Sequence, residues 1–209
     1  MDSFKDTIDN DKQGGDFYKM VKGEQKFRIM SSPVKKVERY GHGICYPGAS
    51  YCDPAIMQKE YLAKVSEAKK EGKDASKVNA PSLTTKYMCW ALLRGKPDRF
   101  VILQLPKKVA EQIRQWMDNA EYGFDSFPMP YDITISADEN VGTPRVKYAV
   151  LASRKETPLT EEETLAFEKQ TPVQQILERL QNKKKTEVEG SGTVEYPQND
   201  DEGESSIPF

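Results

Sequence analysis

The sequence predicts a mainly β domain with α+β elements, in which five short antiparallel strands form an OB barrel. Three segments alternate apolar and polar residues, which is the period of a strand with one buried face. Two further segments are continuously apolar and are separated by a short turn, which is typical of central strands. One amphipathic helix lies between the third and fourth strands. The predicted strands are residues 25–30, 86–93, 99–105, 131–135 and 145–151.

The first strand follows a polar N-terminal segment, residues 1–23, which has few apolar residues and is expected to form a flexible arm. Phe27 and Ile29 alternate with basic residues in this strand. Pro33 then interrupts the ladder because proline has no backbone N–H to donate. The weaker alternation from Val34 to Tyr40 indicates that the strand resumes. The OB-fold domain is therefore expected to occupy residues 24–152.

A long insertion, residues 41–83, separates the first strand from the second. It starts with a turn-rich stretch and continues into a predicted helix. Asp53 is a suitable N-cap for this helix, and Pro54 is favoured at the first helical position. The helix is expected to end near Glu71, before a polar linker.

The C-terminal third of the chain begins with a predicted hairpin between the last two strands, which turn at residues 139–142. A helical segment, residues 153–185, follows. Thr160 and Glu163 have the spacing of a capping box, so a helix is expected to begin there. Residues 186–209 are expected to form a disordered acidic tail, with the helical body ending at Lys185.

The charge distribution is strongly uneven along the chain. Residues 186–209 contain seven acidic residues and no Lys or Arg, so residues 1–185 have a net charge of +5 although the whole chain has −2. A basic body with an acidic tail indicates nucleic-acid binding. No apolar run is long enough for a membrane span, and the chain does not begin like a signal peptide. We therefore expect a cytoplasmic protein without membrane contacts, in the bacterial host if it is phage-encoded.

The end of the tail has the features of a peptide ligand. A terminal Phe can fill an apolar pocket, its carboxylate can meet a cation, and the acidic residues provide electrostatic steering. The predicted interaction residues are Asp200, Asp201, Glu202, Glu204, Ile207, Pro208 and Phe209. This ending resembles the Ile-Pro-Phe-terminated acidic tail of bacterial single-stranded DNA-binding proteins. The resemblance implies that the tail recruits replication, recombination and repair proteins.

Three strand segments resemble those of the tailed-phage single-stranded DNA-binding (helix-destabilising) proteins, namely residues 27–33, 86–94 and 131–135. The resemblance extends over roughly residues 20–152. It implies an OB fold that coats and protects single-stranded DNA stoichiometrically and without catalysis. The long insertion departs from the family pattern, and the resemblance assigns it no role.

Binding of single strands needs a cationic groove and aromatic rings on which bases can stack. Basic residues lie on or beside the predicted strands, and three tyrosines lie in or near the turn-rich stretch. Trp90 and Phe100, in strongly apolar strands, are expected in the core instead. The predicted DNA-binding residues are Lys26, Arg28, Lys35, Lys36, Arg39, Tyr40, Tyr46, Tyr51, Arg94, Lys96, Arg99, Arg145 and Lys147.

The histidine and the three cysteines of the chain form a candidate metal set: His42, Cys45, Cys52 and Cys89. Three Cys and one His are a standard structural zinc set, and some members of the phage family carry a Cys/His cluster in this region. The spacing is not that of a zinc knuckle, and Cys89 lies in a strand, where a small buried hydrophobe is the commoner role of a cysteine. The predicted binding activity requires no cofactor, and a structural zinc ion remains an open alternative.

Other functions stay open on the sequence alone. They are a recombination annealing protein, a zinc-stabilised adaptor or regulator, and an enzyme acting on nucleic acid. No phosphate-binding loop or metallohydrolase motif occurs, and Asp132 and Asp138 are too isolated for a two-metal site. The chain is therefore not expected to be an enzyme.

Overall fold

A computed structural model describes residues 17–95, 99–141 and 146–190. Within these ranges the chain forms one sheet of seven strands, together with α-helices on both of its faces. The strands are β1 (Gly23–Ile29), β2 (Val34–Arg39), β3 (Gly43–Ile44), β4 (Leu83–Leu93), β5 (Arg99–Pro106), β6 (Tyr131–Ala137) and β7 (Tyr148–Glu156). The helices are α1 (Pro54–Lys70), α2 (Lys107–Met117), α3 (Glu161–Glu168) and α4 (Val173–Gly190).

The named strands pair antiparallel throughout, in the order β3-β2-β4-β1-β6-β7, and β5 pairs with β4. Strands β1 and β2 lie along β4 one after the other: β1 pairs with residues 91–93 and β2 with residues 83–88. The break between them contains Pro33, as the sequence predicts, because proline cannot donate to a ladder. Ser31 bridges the break, since its Oγ accepts a hydrogen bond of 2.9 Å from the Trp90 backbone N–H.

The described residues therefore form a mainly antiparallel, open sheet with helices, which confirms the predicted α+β character. The described sheet contains seven strands where the sequence predicts five. The Pro33 break divides the first strand into β1 and β2, and the turn-rich stretch adds the short strand β3. Strand β7 begins at Tyr148, and residues 142–145, which include the predicted start of that strand, lie outside the described residues.

Local capping signals are confirmed at two helices. The Asp53 side chain accepts hydrogen bonds from the backbone N–H groups of Ala55 (2.7 Å) and Ile56 (3.2 Å), which fixes the start of α1. Thr160 and Glu163 form the reciprocal capping box at the start of α3.

Two segment boundaries differ from the sequence-based expectation. The sequence predicts that residues 17–22 belong to the arm. In the structure the Tyr18 N–H donates to the Ile102 carbonyl (3.0 Å), and the Tyr18 ring packs edge-on against Phe27. Helix α4 continues to Gly190, past the predicted start of the tail. Ion pairs between Lys184 and Glu187 and between Lys185 and Glu189 connect adjacent turns in this extension.

The core has two parts, one on each face of the sheet. Cys89 and Ala91 of β4 pack in the first part with α2, while Met88, Trp90 and Leu92 point to the other face, as the two-residue period of a strand requires. That second part is completed by three residues of α4, which are Val173, Ile176 and Leu177. The C-terminal helices are thus an integral layer of the fold.

Candidate nucleic-acid interface

The predicted DNA-binding arginine of β1 is buried in an ion-pair network. Arg28 is 1% exposed, and its Nε donates to Asp132 Oδ1 at 2.7 Å. The same carboxylate lies 3.3 Å from Arg94 Nε and 3.3 Å from Lys26 Nζ. Arg94, the residue after β4, also pairs with Glu163, so the network connects β1, β6 and the end of β4 to α3. Arg28 therefore does not lie in an open groove, because its side chain is buried and its charge is paired with Asp132.

Lys36 of β2, a predicted DNA-binding residue, is also engaged by a carboxylate. Lys36 is buried, and its Nζ lies 2.7 Å from Glu38 Oε1 and 3.1 Å from Gln104 Oε1. Lys86 approaches the other oxygen of Glu38, at 2.7 Å. Burial of the Glu38 carboxyl raises its pKa, but the hydrogen bonds from the two lysines outweigh this, so its pKa lies below the usual value. Because Lys36 is buried and paired with Glu38, it is unsuited to phosphate contact.

Arg39, the last residue of β2, is 5% exposed and anchors the insertion. Its Nη2 lies 2.6 Å from Glu60 Oε2 on α1, and its Nη1 donates to the Tyr51 carbonyl at 2.5 Å. The Tyr51 ring is buried, and its hydroxyl donates to the Ile44 carbonyl. Arg39 and Tyr51 were predicted to contact DNA, but the structure gives both a supporting role: they hold the turn-rich stretch against β2 and α1.

Tyr40 has the opposite environment. Its side chain is 93% exposed although it directly follows the buried Arg39. Lys35, Arg99 and Lys147 are exposed as well, and Tyr46 is half-buried, with its ring edge-on to Tyr51. The other predicted residues lie outside the described part of the chain: Lys96, Arg145, Asp200, Asp201, Glu202, Glu204, Ile207, Pro208 and Phe209.

A cleft of about 480 Å³ opens where β2 meets the insertion, and we call it the insertion cleft. Tyr40, His42, Tyr61 and Lys64 line it, together with the Arg39–Glu60 pair and the linker segment 79–82. Because Glu60 balances Arg39, Lys64 provides the cleft with a positive charge that has no hydrogen-bond or ion-pair partner among the described residues.

The pKa of His42 indicates the electrostatic character of the insertion cleft. Its ring stacks on Tyr51, with ring centroids 5.3 Å apart. Burial lowers the pKa of His42, and the nearby cations of Arg39, Lys64 and Lys184 lower it further, against the opposing effect of Glu60. Lys184 belongs to α4, and its Cε lies 3.9 Å from the position that a β-carbon on Gly43 would take. The surroundings of His42 are therefore net cationic.

Sequence reasoning missed three residues of this region, Tyr61, Lys64 and Lys184. Tyr61 and Lys64 occupy a helix of an insertion to which the resemblance assigns no role. Lys184 is distant in sequence, and it reaches β3 because α4 packs across β2, β3 and β4. The hydrogen bond from Gln181 Nε2 to the Cys45 carbonyl (2.9 Å) fixes this end of the helix.

The outer face of β4 and β5 is covered and apolar. Trp90 is 4% exposed, and its Nε1 donates to the Thr171 carbonyl at 2.8 Å. Phe100 stacks on Phe167 of α3, with centroids 6.0 Å apart. Both aromatic residues are core residues, as predicted from their strongly apolar strands. In OB folds the ligand lies over the second and third strands, and here α3 and α4 occupy the outer face of β4 and β5.

The structure separates the four candidate metal ligands. Cys45 and Cys52 form a disulfide, with their Cα atoms 6.0 Å apart, and His42 lies in the same turn-rich stretch. Cys89 is fully buried in the core with Phe27 and Ala91, and burial raises the pKa of its thiol to about 12. In the part of the chain that the structure describes, no three His, Cys, Asp or Glu side chains are grouped for a metal ion. Zinc binding stays a prediction, and it would require the disulfide to be reduced.

Comparisons with known proteins identify no relative: no protein-family model matches the chain, and no curated protein matches it either. Across residues 17–95, 99–141 and 146–190, none of the helices combines the length and the apolar character needed to cross a bilayer.

Proposed function

We propose that this chain binds single-stranded DNA without sequence preference and recruits enzymes of DNA replication, recombination and repair through its acidic tail. The observation that carries the proposal is the insertion cleft. There an almost fully exposed tyrosine lies beside cationic side chains. Exposed aromatic rings in a cationic groove are what single-strand binding without sequence readout requires.

The strand pairing supports the OB barrel as the finer description of the fold. Taking β1 and β2 as one interrupted strand, and setting aside the two-residue strand β3 of the insertion, the order across the sheet is β5, β4, β1–β2, β6, β7. Helix α2 falls between the third and fourth of these five strands in sequence, and it packs against β4, β5 and β7. A five-stranded OB barrel has this number of strands and binds oligonucleotides.

The charge asymmetry supports the assignment of a recruiting tail. The acidic segment is joined to a body of net charge +5, and it ends in Ile207-Pro208-Phe209. An acidic segment attached to a basic body competes with DNA at high effective concentration and also offers its terminus to partner enzymes.

The test is a titration of the full chain with mixed-sequence single-stranded and double-stranded oligonucleotides over a range of salt concentrations. We expect tight binding to single strands that depends on salt and not on sequence, and much weaker binding to duplexes. Equal affinity for duplex and single strands would contradict the proposal and favour a nucleic-acid-associated adaptor. Absence of binding to any oligonucleotide would reject it.

A further inference from the structure

The geometry points to a subsite for one nucleotide in the insertion cleft, with the base stacked on Tyr40 and its phosphate between Lys64 and Lys184. This inference rests on the proposed single-strand binding and adds to it the position of the base, the phosphate contacts and the participation of α4. None of Tyr61, Lys64 and Lys184 belongs to the strand face where the sequence predicts DNA contacts.

Tyr40 has no structural role that explains its position. A tyrosine ring ordinarily buries much of its area, whereas this one is 93% exposed at the mouth of a cleft. The side chain of its neighbour Arg39 is held by Glu60 and by the Tyr51 carbonyl. These two contacts anchor the backbone that presents Tyr40. An exposed ring on an anchored backbone is a suitable stacking platform for a base.

The phosphate position follows from the charges around His42. Lys64 on α1 lines the insertion cleft together with His42, and Lys184 on α4 reaches β3 at Gly43, the residue after His42. Both cations also lower the pKa of that imidazole. Arg39 also lies close to it, but its charge is balanced by Glu60. Lys184 has only a loose partner, Glu187 at 3.7 Å, with both side chains in contact with solvent. An incoming phosphate can replace that contact and meet two cations.

Helix α4 places Lys184 beside the insertion cleft, at β3. Its apolar residues Val173, Ile176 and Leu177 are buried against β4 and β5, and Gln181 donates to the Cys45 carbonyl. Lys184 is therefore held beside β3 before any ligand arrives, which reduces the entropy lost on binding. The subsite uses a ring face and phosphate charge, neither of which reads a base edge, and this accounts for binding without sequence preference.

Photo-crosslinking locates the base directly. The full chain is irradiated with a single-stranded oligonucleotide that contains 5-iododeoxyuridine, and the crosslinked peptide is identified by mass spectrometry. We expect Tyr40 to be the main crosslinked residue and Tyr40→Ala to lose that crosslink. Crosslinks that map to residues outside the insertion cleft would overturn the inference while leaving single-strand binding intact.

Substitutions then test the two lysines against matched controls. We expect Tyr40→Ala to weaken single-strand binding at least about tenfold, and Tyr40→Phe to retain it because stacking needs only the ring. Lys64→Ala and Lys184→Ala should each lower the log–log salt slope by about 0.7, the value for one phosphate contact on single strands. The controls, Lys59→Ala on α1 and Lys183→Ala on α4, remove the same charge from other sides of the same helices.

The outcomes separate the inference from the proposed function. If wild-type protein binds single strands and the Lys64 and Lys184 variants keep the wild-type slope, the subsite is wrong and the function stands. If Lys59→Ala and Lys183→Ala change the salt slope as much as Lys64→Ala and Lys184→Ala do, the helices contribute only general charge. The subsite is then also wrong. If wild-type protein does not bind single strands, both fail. Unchanged thermal unfolding of each variant shows that its effect is on binding.

Discussion

Two groups of basic residues in this protein have opposite environments. The arginines around Asp132 are buried or partly buried and share their charge with Asp132 and Glu163. Lys64 and Lys184, at and beside the insertion cleft, keep at least part of their charge available to a ligand. Residue type alone does not distinguish the two groups, because both consist of ordinary basic residues of the chain. The partner carboxylate and the degree of burial distinguish a cation that stabilises the fold from one that can bind phosphate.

The largest effect is expected at Asp132, which three cations share. Asp132→Ala leaves Arg28 charged, buried and without its carboxylate, and we expect a loss of about 3–5 kcal/mol in the free energy of unfolding. Urea denaturation measures this. Asp125→Ala, at an exposed aspartate of the loop before β6, is the control and should change stability little. Equal stability of the two variants would contradict the structural role of the network.

The next effect is expected at Arg39, which connects β2 to the insertion. Arg39→Ala removes the donor to the Tyr51 carbonyl and the partner of Glu60, so we expect a loss of about 1–3 kcal/mol in unfolding free energy. DNA affinity should fall as well, because Tyr40 loses its anchored backbone. Lys64→Ala, in the same cleft, should weaken DNA binding without changing stability. An Arg39 variant with wild-type stability would show that this pair does not hold the insertion.

A smaller, salt-dependent effect is expected from the tail. Because α4 extends to Gly190, the truncation that spares all described helices removes residues 191–209. We expect this truncated protein to bind single strands several-fold more tightly at low salt, with the gain shrinking as salt screens the competition. Removing Phe209 alone should leave DNA affinity unchanged and abolish binding to a partner enzyme. Weaker DNA binding after truncation would contradict the competition.

Counting reactive thiols tests the predicted state of the cysteines without a DNA-binding measurement. With Cys45 and Cys52 joined and Cys89 buried with a pKa raised to about 12, the native protein should show no thiol reactive towards a water-soluble maleimide at neutral pH. Denaturation without reductant should release one thiol, that of Cys89. Three thiols on denaturation, together with about one zinc per chain, would instead support the zinc prediction.

Local features of the fold could be predicted because their signals lie within a few residues. Asp53 caps α1, Thr160 and Glu163 cap α3, and Pro33 breaks the first strand, each through its own backbone chemistry. The interactions that decide which cations are paired and which surfaces stay open join residues far apart in sequence. Arg28 meets Asp132 across 104 positions, and Gln181 meets Cys45 across 136. Periodicity and charge counting contain no information about such pairings.

The cover over β4 and β5 shows the same limit. The continuous apolar run of β4 correctly predicts Trp90 in the core, but only the fold reveals that α3 and α4 provide that part of the core. The proposed binding surface is therefore the insertion cleft, whereas the sequence predicts the strand face. The insertion, to which the resemblance assigns no role, becomes the main candidate for ligand contact.

Amide hydrogen exchange of the full chain, with and without a saturating mixed-sequence single strand, tests this relocation most directly. We expect slowed exchange at residues 40–46, around Lys64 and in the last turns of α4. Exchange in the middle of β1 and β6, beside the Arg28–Asp132 pair, should not change. Protection centred on β1 and β6, with none in the insertion, would contradict the account.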